Sequence, residues 1–536
     1  MKNSSLFGSL EPLEPRIAPA VFNVVVGKTG VRIVEEFDPY EDNFSNGLDL
    51  TVDSIGMLHI DPDSKSKVRF EGELWGKGKE VVVPWFVGSL TVKSYQVGDQ
   101  VTLHGAFPGS VSMNLGSGPD QVVVDSASIA GNLTVTGGKP TEAGGVLATT
   151  IKDATIHGAL KITGVSAYHE VNFAGDITVD GNVDISLGAL DDEVNGPFGS
   201  FSVGGNFAVR GGGGDDDLEL NGGILHVAGN LSMLTGSGSD GAGIDVGQFT
   251  VEKNFVIRSV GDKGHAVSQG VSATDISVGG NVLLQSTSYS AYQQLSASGD
   301  ITIGGDAKFL TGKTNILSLT DENTTVVEAR DELHISGKVS VLSASFISEF
   351  TMSSPNGSIG GGIKTSKTMV ELDMAGTIGG NIDMFGAGFV WIGLRVNEPS
   401  SVLSVGKITS TGNSLLFFFL YNVSSSGALK VIGGGDKDEV HLENTTFAAP
   451  GLVDLGGGDD KFFIETDAYS LGKTEVNAPL TLRGGSGKDV FTLSGSEPAN
   501  PLKATAHIVL DGGTGSDRVV LGSTGDYQSQ VVRKNI

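Results

Sequence analysis

Cysteine is absent from the chain, which excludes disulfides, thiolate zinc sites and thiol catalysis together. Proline is sparse, 16 residues with no three-residue period, so a collagen-like triple helix is excluded. Positive charge is also short: 35 Lys and Arg stand against 62 Asp and Glu, for a net charge of -27. That balance argues against binding nucleic acid or an anionic membrane by bulk electrostatics and makes cations the natural partners. The longest apolar run, Leu415 to Tyr421, falls far below the ~20 residues of a membrane span, so no transmembrane segment is expected. What is abundant is glycine, 80 of 536 residues, about twice ordinary usage. With 39% hydrophobic residues the chain is too apolar for disorder, too glycine-rich for long helices, and must turn often.

From Val87 onward one pattern returns: alternating apolar residues, a Gly followed by Asn or another small or polar residue, then alternation again. Ile177-Thr178-Val179-Asp180-Gly181-Asn182-Val183-Asp184-Ile185 is one copy, and the mean return is about 24 residues. Period-two alternation reads as strand, and a fixed return of this length stacks each strand on its equivalent in the previous coil. The expected fold class is all-β, a single parallel β-helix (solenoid) of about 24-residue coils with an N-terminal β cap. Inward residues such as Val183, Phe207, Leu231 and Phe255 would form continuous apolar columns. Gly-Asn suits a sharp corner, because both residues tolerate the left-handed backbone. Asn182, Asn206, Asn230, Asn254 and Asn281 occupy successive coils and are candidates for a structural Asn ladder; each serving only its own turn is the alternative.

A second motif follows the corner: Gly211-Gly212-Gly213-Gly214-Asp215-Asp216, with relatives at Gly484-Gly485-Ser486-Gly487-Lys488-Asp489 and Gly512-Gly513-Thr514-Gly515-Ser516-Asp517. These resemble the G-G-x-G-x-D-x-U-x nonapeptide of RTX calcium-binding β-rolls, and the resemblance implies bound Ca²⁺. Weaker copies end at Asp120, Asp240, Asp438 and Asp460. The spacing departs from that family: Asp438, Asp460, Asp489 and Asp517 are 22, 29 and 28 residues apart, one acid per coil. Asp192, Asp216 and Asp240 each lie ten residues past Asn182, Asn206 and Asn230, so stacked coils put them in one column at ~4.8 Å. Like charges that close repel unless a cation intervenes, and Ca²⁺ takes carboxylate and carbonyl oxygens at ~2.3–2.6 Å. The candidate metal ligands are therefore Asp120, Asp192, Asp215, Asp216, Asp240, Asp438, Asp460, Asp489 and Asp517. Simple hydrated turns, with glycine supplying positive φ, remain the alternative.

Leu13-Glu14-Pro15-Arg16 resembles the short LEPR motif that opens many large, repeat-rich extracellular or surface proteins of planctomycetes and related bacteria, which implies export. No apolar core of an ordinary secretory signal accompanies it. The chain thus divides into residues 1–20, an export or sorting segment; 21–86, a β-rich cap in which Trp75, Trp85 and Phe86 would cover the first coil; 87–430, the β-helix; 431–522, coils with RTX-like turns; and 523–536, a tail.

These features point to an exported or cell-surface solenoid of structural or adhesive role, with extracellular polysaccharide or other envelope proteins as partners and calcium in its turns. The alternative is a polysaccharide lyase or glycoside hydrolase working in a β-helix groove. Pectinase-type Gly-His-Gly and Arg-Ile-Lys signatures are missing and the nine histidines share no offset, so no catalytic residues are assigned. Phe417-Phe418-Phe419 breaks the expected alternation of outward polar residues, and a packing role under a covering loop is expected for it.

Overall fold

A computed structural model describes residues 20–36, 46–76, 79–95, 98–138, 146–164, 168–261, 266–288, 290–312, 323–343, 348–366, 369–394, 401–412, 415–466, 472–494, 501–523 and 525–536. The LEPR-like residues lie outside that range. The chain is 67% strand and 1% helical, a parallel β-solenoid of about 16 turns at roughly 24-residue spacing. Its contacts divide it into two compact units, Met1–Ala167 and Tyr168–Ile536.

The first unit opens with antiparallel pairs. Ala20–Gly27 turns back on Gly30–Glu35, Asn46–Val52 on Leu58–Pro62, and Leu58–Pro62 pairs in turn with Val81–Val83. The cap then hands its edges to the repeat in parallel: Gly30–Val34 pairs with Ser89–Lys93, and Asn46–Val52 with Asp99–Gly105. Parallel stacking continues through Val111–Asn114, Leu133–Thr136 and Leu160–Thr163. Phe86 is buried and meets Phe107 edge-on at 6.4 Å. Trp85 departs from the cover expected of it: its φ of 56° turns the side chain out, and it is 81% exposed.

In the second unit a coil is built from a short strand after the corner, a turn that in several coils carries an acid, and a longer path that runs as one strand, as in Gly241–Val251, or as two. Val183–Ser186, Glu193–Asn195 and Phe198–Val203 make one such coil. Val183, Phe207, Leu231, Phe255 and Val282 pair in sequence and are all buried, because alternation sends every second side chain inward; the last coil is three residues longer and the pairing still keeps register. Phe418 joins such a column at 0% exposure. Phe419 faces outward, stacking on Trp391 at 5.4 Å and on His441 at 4.7 Å, so other rings of the same column pack against it.

Candidate functional site: side-chain ladders at corners and acid turns

The Gly-Asn corners bring their amides into line. The backbone N–H of Asn206 donates to Asn182 Oδ1 at 2.8 Å, that of Asn230 to Asn206 Oδ1 at 2.9 Å, and that of Asn281 to Asn254 Oδ1 at 2.9 Å. Side-chain Nδ2 groups of Asn230, Asn254 and Asn281 donate to Asn206, Asn230 and Asn254 Oδ1 at 3.0–3.1 Å. Asp306 and Lys338 carry the run onward through their own N–H groups. In every case the later coil donates and the earlier one accepts.

The acid turns work in the opposite sense. Asp192 N–H donates to Asp216 Oδ1 at 3.0 Å and Asp216 N–H to Asp240 Oδ1 at 3.2 Å, so the earlier coil donates and the later carboxyl accepts. A second column runs Asp438 to Asp460 at 2.8 Å, Asp460 to Asp489 at 3.0 Å and Asp489 to Asp517 at 3.0 Å. In the first unit Asp99 N–H donates to Asp120 Oδ1 at 3.0 Å. Asp120, Asp192, Asp216, Asp240, Asp438, Asp460 and Asp489 are all buried; Asp517 is half-buried and Asp215 exposed. Asp215 belongs to an outer row in which its N–H donates to Asp191 Oδ1 and Ser239 N–H donates to Asp215 Oδ1, both at 2.8 Å. Adjacent residues bond in opposite directions because successive N–H groups of a parallel strand point alternately to its two neighbours.

The glycines of the motif follow from this arrangement. A Cβ on Gly211 would collide with Asp216 Oδ2, and the same relation holds for Gly433 with Asp438, Gly484 with Asp489 and Gly512 with Asp517. The first glycine thus makes room for the carboxyl five residues later. The second serves the backbone: Gly212 has φ 122° and Gly485 φ 104°, and each approaches a carbonyl of the preceding coil where a side chain would not fit. At the coil ending in Asp240, Thr235 takes the place of the first glycine and its hydroxyl donates to Asp240 Oδ2 at 2.7 Å.

Burial shapes the electrostatics. It pushes Asp216 up to about 8, with the charges of Asp192 and Asp240 adding to it, and pushes Asp120 and Asp460 up to about 7. Asp438 and Asp489 are raised for the same reason. The Oδ2 atoms of Asp216, Asp460 and Asp489 are buried without a hydrogen-bond partner. Among the described residues no three His, Cys, Asp or Glu side chains gather as a metal cluster.

Sequence reasoning placed these aspartates by spacing and did not assign them a direction; a Gly five residues upstream accompanies the buried Asp216, Asp438 and Asp489, whereas Leu115, Leu187 and Leu455 hold that place before the equally buried Asp120, Asp192 and Asp460. It also passed over His169, buried against Asp192 with Nδ1 at 3.0 Å from Oδ1, and the inward pair Gln269 and Gln293, linked at 2.9 Å. Among the described residues three acid–histidine groups reach the surface, one of them His226 at 3.2 Å from Glu252. His59 lies between Asp53 at 3.1 Å and Glu80 at 2.8 Å, and its hydrogen bond to Asp53 raises its pKa. His441 is 2.7 Å from Glu439 and held between the rings of Phe419 and Phe463. Comparison with family models, curated proteins and solved structures finds no match, so the functional argument rests on these residues.

Proposed function

We propose that the chain is an exported or cell-surface β-solenoid with a structural or adhesive role. The observation that supports this is the use of its repeated polar side chains: the Asn and Asp columns bind neighbouring coils to one another, inside or along the corners, and stiffen the stack rather than converging on a substrate. Such a ladder suits a stack of coils that keeps its form outside the cell, since each coil is held by its nearest neighbours. Protease shaving of intact cells followed by peptide detection tests the location. Release of solenoid peptides is expected; recovery of the intact chain only from the cytosolic fraction would overturn the reading.

A second reading, calcium in the acid turns, is supported by the unpartnered Oδ2 atoms of Asp216, Asp460 and Asp489. A cation there would satisfy oxygens that the backbone leaves unmet and neutralise adjacent charges. Binding to the folded chain alone adds about 2.7 kcal/mol at a hundredfold excess over Kd, so melting temperature should rise with Ca²⁺ and fall with chelator. No calorimetric binding at millimolar Ca²⁺, with melting unmoved, would leave the turns as purely hydrogen-bonded corners.

A further inference from the structure

A bend in the long path of the coils forms an open groove in the first unit, with a volume of about 520 Å³. The bend is made by left-handed residues one above another, Gly105 at φ 86°, Ser126 at 54° and Asp153 at 47°. Its lining sets the polar Asp53, Ser54, Ser126, Ser128, Asp153 and Thr155 among the apolar Val52, Ala106 and Ala127. The second unit has a groove of its own whose lining includes Asp245, Ser272, Ser296, Glu328 and Arg330. In the first unit the turn that supplies Asp53 and Ser54 accepts the Phe86 N–H at Gly56 O, 2.9 Å, which puts the backbone of the adjacent Trp85 next to that turn. Trp85 is 81% exposed and is held in a left-handed conformation that a bulky residue adopts only under strain. Asp53 is itself fixed, accepting from the N–H groups of Ile55 and Met57 and paired with His59, so its edge of the groove is rigid.

We propose that this groove, together with Trp85 from beside the Asp53 turn, binds a neutral polyhydroxylated glycan strand. A flat indole face takes the apolar C–H face of a sugar ring, while hydroxyls and carboxylates exchange hydrogen bonds with sugar hydroxyls. The carboxylates of Asp53 and Asp153, on a chain of net charge -27, exclude uronates and other polyanions. The inference rests on the adhesive reading and names its ligand class, yet it is tested on purified protein, so failure here leaves the location experiment unaffected.

The test is affinity gel electrophoresis of the full chain in gels containing soluble glucan, mannan or xylan, with polygalacturonate as the anionic comparison. At least one neutral glycan should retard the protein and polygalacturonate should not. Trp85→Gly should weaken that retardation by about tenfold or more, since the ring is lost while the left-handed backbone becomes easier to adopt, so folding is kept. Trp85→Tyr should retain most of the binding. Retardation by none of the neutral glycans, preference for polygalacturonate, or an unchanged Trp85→Gly variant with a wild-type melting curve would each overturn the proposal.

Discussion

The corner column Asn182–Asn281 and the acid-turn column Asp192–Asp240 share the same coils and the same task, yet differ in chemistry. Both offer a side-chain oxygen to a backbone N–H in an adjacent coil. The amide has donors as well as acceptors, so Asn230 passes the interaction on through Nδ2 and most of the column stays at the surface. An ionised carboxylate can only accept, and the acid-turn carboxyls are buried. One oxygen is matched and, in Asp216, Asp460 and Asp489, the other is not. A repeat can therefore be held by a ladder indifferent to pH or by one that is sensitive to it, and this chain has both.

The largest effect that separates the two columns is expected from glycine substitution in the acid turn. Gly485→Val places a branched side chain at φ 104° against the Gly456 carbonyl and should cost at least about 3 kcal/mol in denaturant melts. Gly484→Ala instead meets the side chain of Asp489, so its cost should shrink when Asp489→Ala is introduced with it; simple additivity would show the five-residue relation to be irrelevant.

Next in size is the pH response. Asp216 is raised from 3.8 to about 8, so its contribution is fully present below about pH 4 and is lost as pH rises through 8. Melting temperature should fall between pH 5 and pH 9, and Asp216→Asn should flatten that fall by roughly 1–3 kcal/mol, because an amide keeps the acceptor and cannot ionise. A variant with the wild-type slope would remove Asp216 from the explanation. The smallest effect belongs to the surface column: Asn230→Ala should cost about 1 kcal/mol, the scale of a water-accessible hydrogen bond, and equally at both pH values. A pH-dependent loss there would erase the contrast between the columns.

Much of the fold was legible because the Gly-Asn corner returns at nearly constant spacing, and equal spacing places Asn182, Asn206 and Asn230 one above another. The register of Asp192, Asp216 and Asp240 followed from the same count. Their inward direction did not, since alternation stops at the glycines and backbone angles such as 122° at Gly212 decide which way the chain re-enters the strand. Trp85 was hidden for a related reason: hydrophobicity argued for cover, whereas one left-handed residue turned the ring to solvent. The stacking of Phe419 with Trp391 and His441 joins residues from three coils of unequal length, which no single period predicts.

The opposed directions of the two ladders bear on how the chain is made. A completed coil holds out an unfilled amide oxygen at its corner and an unfilled N–H at its acid turn, both facing the coil that will be synthesised next. The newcomer brings the matching N–H and the matching carboxyl. Each turn thus carries the complement of its successor, so one coil's corner and acid turn together specify which way round the next coil fits.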